Sequence, residues 1–395
     1  MEYLWIEKRD ETIMTGNKFL KVTVVIILTS FITGCWDSVE IQQRTMILSV
    51  ALDKPESNNE EDRYDMTIQI AEPNALTEKP IPGTEPVWNL STTCPSLFQC
   101  VRDNATEVAR PSYYGHLQII LIGEELAMEE GIVDSLDLFF RDHEMRRRTK
   151  LIIVKGKAKD ALETKHPLIP ISGQYISDLT QEAVNKTALI PITFTVGQFS
   201  SEHESGADLL LPIVYVRGNH VDMSGGAIMR EGKLIGFLTG EEVKLLRVVE
   251  GTFKKGAHIS SSDKKNENEP SSTFEVKGMR SIIHTRIKND KPEFKVEVLV
   301  EGHLAEDGFK GLISEKKIKK MENELNKKIK NDTLEFIKKM QDEYQADVFG
   351  FGEKLRRHEY KYWKNVKGNW EEAFAEAKIE MEVNTSIRRY GRIKK

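Results

Sequence analysis

An uncharged run from Val22 to Ile32, VTVVIILTSFI, stops just short of Cys35, and this arrangement constrains everything downstream. A bilayer-spanning helix needs about 20 apolar residues, so the run is too short to cross; it has the size of a signal-peptide h-region. Lys18 and Lys21 flank it on the amino-terminal side, and Ile32-Thr33-Gly34-Cys35 sets small residues before a thiol. The Cys35 thiol is the diacylglycerol acceptor, and its small neighbours let a peptidase cut before the lipidated residue. Residues 1–34 are read as a lipoprotein signal peptide and Cys35 as the lipidated, palmitate-bearing first residue of the mature chain. Glu2, Glu7, Asp10 and Glu11 do not suit an n-region, so Met14 is the expected translation start.

The part beyond Cys35 must fold outside the cytoplasm on an amino-terminal tether. Its length permits this: 395 residues in all are enough for two or three domains of ordinary size. A balance of 39% hydrophobic and 30% charged residues argues against both a multi-pass membrane chain and a disordered one. The net charge of −5 gives no general attraction to nucleic acid, so no nucleic-acid partner is expected.

Export would allow disulfides, and only Cys94 and Cys100 remain to form one. Pro95 suggests a helix first turn, with Cys94 near the cap and the helix continuing to Arg110. On that reading six residues of helix part the sulfurs by about 9 Å of rise, beyond disulfide reach, and two free or buried thiols are expected. A metal site lacks further ligands at useful spacing, and no cofactor is expected.

Hydrophobic periodicity organises the mature chain. Residues 45–53 and 63–71 read as strands, the second alternating at Met66, Ile68 and Ile70. Prolines 73, 80, 82 and 86 mark an irregular connection, then come the Cys94 helix, strands near 117–122 and 151–155, and intervening helices. This is an N-terminal α/β domain, 35–165. A proline-marked segment, 166–222, reads as a middle domain. The region 223–395 opens with GGAIMR and KLIGFL around the Glu231-Gly232 turn and continues with strands at 273–288 and 293–302. A polar stretch at 260–272 reads as a solvated loop. A long helix from about Leu312 to Tyr344 follows, with Ile318, Met321, Leu325, Ile329, Phe336 and Met340 on one stripe, and a closing strand at 376–388. The expected fold class is α+β: three mixed α/β domains, the last an antiparallel sheet packed with one long amphipathic helix.

Signatures of chemistry are missing from the sequence. It contains no Walker loop, no GxGxxG after a strand, no GxSxG elbow and no HExxH. The acidic pairs Glu124-Glu125 and Glu241-Glu242 sit where helices begin and suit the macrodipole better than a catalytic dyad. The cluster RDHEMRRR at 141–148 reads as a salt-bridged surface turn before an anion site. The lysine face of the long helix is interspersed with Glu322, Glu324 and Asp332 and reads as solvated. No nucleophile is assembled with a base and an orienting group, so no catalytic residue is assigned.

Several stretches, in order, resemble the Ger(x)C family, the lipoprotein C subunits of bacterial spore germinant receptors: GCWDSVEI at 34–41, YDMTIQIAEP, GHLQIILIGEELAMEEGI with RDHEMRRR, GGAIMREGKLIGFLTGEE, and MQDEYQADVFGFGEKLRR with Trp363, Trp370 and Phe374 after it. The resemblance spans 34–391. It implies a three-domain, non-enzymatic protein tethered by Cys35 to the outer face of the inner spore membrane. There it would act with the A and B membrane subunits of a nutrient receptor. A lipoprotein that itself captures a small germinant or a wall fragment is the alternative. The aromatic segment 349–374, with Phe349, Phe351, Trp363 and Trp370, is the expected partner surface, since interfaces favour aromatic residues.

Overall fold

The computed structural model describes residues 43–389 apart from 58, 73–74, 76–81, 193, 254–257, 261–271 and 307–313. The signal peptide, Met14, Cys35 and most of the 260–272 loop lie outside the described residues. The fold class is the expected mixed one, built on two sheets.

The wide sheet has the strand order β10-β9-β7-β6-β5-β1-β2-β3. Its centre is parallel: β1 (Thr45–Asp53), β5 (Ile119–Gly123), β6 (Lys150–Lys155) and β7 (Leu209–Arg217). These strands are apolar almost throughout, as burial on both faces requires; Ile119 to Ile122 are wholly inaccessible. Antiparallel strands close each flank: β2 (Tyr64–Ala71) and β3 (Val87–Cys94) on one side, β9 (Gly226–Arg230) and β10 (Lys233–Leu238) on the other. Two short strands, β4 (Ser112–Tyr113) and β8 (His220–Asp222), pair with β1 and β7. One face carries helices α1 (Leu97–Glu107), α3 (Val133–Arg141) and α6 (Val196–Glu204) through Leu97, Leu136 and Phe199. The other carries α4 (Ala158–Glu163) and α5 (Ser172–Lys186) through Leu162 and Ile176. Helix α2 (Glu124–Glu129) follows β5 directly.

The stretch 166–222 supplies β7 to this sheet, and the hairpin β9–β10 extends it past residue 222. From Thr45 onward the chain clusters as one unit. The hairpin is shared property: Ala227 and Met229 pack into the core of the wide sheet, while Ile228 and Leu238 point into the core of the second. Alternation of side chains along a strand makes this sharing automatic.

The second sheet runs β11 (His258–Ser260), β12 (Thr273–Lys288), β13 (Lys291–Glu306), β14 (Lys378–Arg389). Helix α7 (Gly240–Glu250) and the long α8 (Glu315–Lys339) cover one face. The predicted stripe holds: Met321, Leu325, Ile329 and Phe336 of α8 are buried. Thr239 caps α7 in a capping box with Glu242, and Glu242 reaches Lys339 of α8 at 2.6 Å. One strand departs from the expected antiparallel sheet, because β14 pairs parallel with β13. The helices between them carry the chain back to the end where β13 began, and such a crossover returns a parallel strand.

The cysteine expectation is corrected. Cys94 and Cys100 form a disulfide with Cα atoms 5.5 Å apart. The helix begins at Leu97, capped by Ser96, whose Oγ accepts from the Gln99 N–H at 3.2 Å. Cys94 therefore ends a strand and does not start a helix. The Pro95-Ser96 turn folds the first helical turn back over it, which removes the assumed helical rise.

Candidate functional site

The two sheets meet at a small polar joint built from Asp208, Arg230 and Asp347. Arg230, at the end of β9, donates from Nε to Asp208 at 3.2 Å and from Nη2 to the carbonyls of Tyr344 and Gln345, both at 2.9 Å. Asp208 in turn accepts from the Asp347 N–H at 3.0 Å. Asp347 then accepts from the N–H groups of Phe351 (3.1 Å) and Gly352 (2.6 Å) and from Trp370 Nε1 (3.0 Å). The chain segment just before β7 is thereby tied to the end of the long helical excursion.

Local sequence explains the geometry. After α8 a π-helical turn, Met340–Tyr344, ends at Gln345 in the left-handed region, and Gly350 at φ 76° lets the chain enter α9 (Phe351–His358). Asp347 supplies acceptors for the first N–H groups of α9, which no intrahelical carbonyl can serve. Gly352 is required by close approach: a Cβ there would stand 2.7 Å from Trp370 Nε1. The signature DVFGFGEKLRR is thus a helix start fitted around one buried carboxylate.

Of the residues expected as a partner surface, Phe349 and Phe351 are packed inward in this chain. Phe349 and Phe351 are 5% and 0% exposed, and Phe351 packs on Phe294 at 4.8 Å between ring centres. They hold the sheet to the helices. Trp363 and Trp370 are half-buried, 5.4 Å apart, and line a cavity of about 330 Å³ with Asp208, Leu209, Asp347 and Gly352. Helices α10 (Tyr360–Val366) and α11 (Trp370–Ala375) carry these two side chains.

Other nominated groups do not converge. In RDHEMRRR only Met145 is buried; Arg141 pairs with Asp137 at 2.8 Å and the Asp142 side chain accepts from the Glu144 N–H. Glu124 pairs with Lys155 and accepts from the Gly156 N–H at 3.2 Å, and Lys54 binds both Glu125 (2.9 Å) and Glu129 (2.6 Å). Among the described residues no cluster of three or more His, Cys, Asp or Glu could hold a metal ion. None of the described helices is long and apolar enough to cross a membrane.

Two carboxylates are pushed up to about 6, chiefly by burial. Asp347 is one, despite the N–H groups of Gly352 and Phe351 that favour its charge. Asp53, at the end of β1, is the other: it accepts from the Ala158 and Lys159 N–H groups at 2.7 and 2.9 Å and so starts α4. Burial also raises Asp208 against the opposing pull of Arg230. In all three the oxygens are engaged in starting helices or tying segments, which is a structural use of a perturbed carboxylate.

Comparisons with known proteins agree along the whole length of the fold. Residues 37–216 match the family model for the spore germination protein N-terminal domain, and residues 224–391 match that for the spore germination B3/GerAC-like C-terminal region. Spore germination protein B3 of Bacillus subtilis (strain 168) is 28% identical over 388 residues, covering 96% of this chain and 100% of its own. Spore germination protein A3 of the same organism is 28% identical, covering 94% of this chain and 98% of its own. The crystal structure of the GerBC protein superposes with a TM-score of 0.59 at 25% identity, covering 86% of this chain and 97% of that one. The chain belongs to the spore germination B3/GerAC-like family, that of the germinant receptor C subunits.

Proposed function

We propose that this protein is the lipid-anchored C subunit of a spore nutrient germinant receptor, acting without chemistry of its own beside the A and B membrane subunits. The observation that carries the reading is the match of both halves of the chain, in order, to germination proteins. Cys35 is its lipid attachment site, which sets it on the outer face of the inner spore membrane. The engagement of Asp53, Asp208 and Asp347 in structure supports a scaffold that transmits a state through contacts.

The experiment is affinity isolation of the tagged full-length protein from detergent-solubilised inner membranes of dormant spores, with mass spectrometry of its companions. A-type and B-type subunits in fixed proportion are the expected result. Recovery of this lipoprotein alone, while a control membrane complex survives, would overturn the reading.

A second reading is a lipoprotein that itself takes a small germinant or wall fragment. The cavity of about 330 Å³ beside Trp363 and Trp370 favours it, because such a concavity with aromatic walls suits a small ligand. Saturable binding of a germinant by the isolated chain, lost in Trp363→Ala with the fold intact, would support this reading over the first.

A further inference from the structure

The outer edge of the second sheet is covered along only part of its length. Among the described residues β14 pairs with β13 alone, so its other edge faces away from the sheet. Helix α8 runs along that edge in the opposite direction and satisfies two of its N–H groups. Glu322 accepts from the Ile387 N–H at 2.9 Å, and Asn326 accepts from the Thr385 N–H at 2.8 Å. The step is regular: four residues of helix rise about 6 Å, and two residues of strand advance about 6.6 Å.

The next step in this register sets Lys330 beside Val383. The series of acceptors ends there, because an ammonium only donates. Val383 points its N–H to the same side as Thr385 and Ile387, two residues apart along a strand, and finds no acceptor among the described residues. Lys327 and Lys330 are exposed, and neither carries a carboxylate among the described residues. A groove of about 480 Å³ lies between them and the strand, lined also by Asn326, Val383 and Glu382. Donors thus face it from both banks: the backbone of β14 on one, two ammonium groups on the other. Glu382 and Glu297, which also line the groove on the solvent side of the sheet, share Lys295 at 3.0 and 2.8 Å.

We propose that this groove takes an extended, acidic segment of a partner protein as an added strand on β14, with its carboxylates on Lys327 and Lys330. An open strand edge supplies main-chain pairing, and a row of side chains at alternate positions supplies selectivity. A peptide strand carries the C=O that Val383 lacks, and period 2 turns every second side chain toward α8. Acidic residues at those positions meet the two unpaired lysines. A second copy of this chain fits poorly in the antiparallel register centred on Met381, since Glu380 of each copy would then lie opposite Glu382 of the other.

The inference stands apart from the receptor reading, since it names no particular subunit. Its test uses the full-length protein in detergent and two end-blocked octapeptides, one alternating valine with glutamate, the other valine with lysine. Binding is read by fluorescence anisotropy, and amide exchange at Met381 and Val383 by NMR or mass spectrometry. The expected result is saturable binding of the glutamate peptide, at least tenfold weaker for the lysine peptide, with slowed exchange at Val383. Lys327→Glu with Lys330→Glu, both on exposed positions, should invert that preference. Equal binding of both peptides, no binding, or binding without protection at Val383 would overturn the proposal. Protection at Val383 without peptide, together with sedimentation as a dimer, would also overturn it in favour of self-pairing.

Discussion

Asp208 and Asp347 lie in one hydrogen-bonded line although 139 positions separate them, the first accepting from the backbone N–H of the second at 3.0 Å. Their side chains then serve different ends, for Asp208 holds Arg230 while Asp347 starts α9. These polar groups add to the shared apolar hairpin in setting the two sheets against each other.

Removing Arg230 tests the joint. Arg230→Met keeps the stem and deletes three donated hydrogen bonds, leaving two carbonyls and the buried Asp208 short of a partner. The expected cost is about 2–4 kcal/mol, in the range for breaking a partly buried ion pair with charged hydrogen bonds. Urea unfolding of the two proteins gives the answer directly. A loss under about 0.5 kcal/mol would show that the joint carries no stability.

The Asp53 carboxyl predicts a pH dependence. Its folded pKa of about 6 lies above the ordinary carboxylate value, so the folded state holds the proton more tightly than the unfolded one. The stability that this group contributes is then complete below about pH 4 and lost as pH rises through about 6, on the order of 3 kcal/mol. Asp53→Asn removes the titration while keeping one acceptor for α4. The difference in unfolding free energy between wild type and this variant should shrink from pH 4 to pH 7; a difference independent of pH would contradict the assignment.

The Cys94–Cys100 bond closes a short loop between β3 and α1. Replacing both cysteines with alanine should cost about 2 kcal/mol, the modest sum for a loop of that size. Thermal unfolding with and without reductant measures the same quantity in the native chain. Because Cys94 and Cys100 share a buried disulfide, a Cys35→Ser chain should show no thiol reactive toward an aromatic disulfide reagent until it is reduced and unfolded. Two titratable thiols in the unreduced, unfolded protein would show that the bond is absent.

Periodicity reveals whatever depends on neighbours in the chain. The alternation at Met66, Ile68 and Ile70 and the stripe Met321, Leu325, Ile329 mark buried faces correctly, because one residue spacing determines one face of a strand or helix. The strand Val87–Cys94 escapes that signal, since WNLST lacks a clean apolar alternation; β3 lies at the sheet's edge and is only half-buried. Without that strand the helix start is misplaced, and the disulfide is missed with it.

What the sequence determined by itself, then, was the types of most elements and the family to which they belong, because each of these is written in local pattern or in the order of motifs. The tertiary structure alone decided the pairing of Cys94 with Cys100, the burial of Phe349 and Phe351, the direction of β14 and the joint of Asp208, Arg230 and Asp347. Each depends on segments far apart in the chain being brought within a few ångströms. An aromatic residue that serves a core and one that serves an interface look alike until the opposing surface is in place.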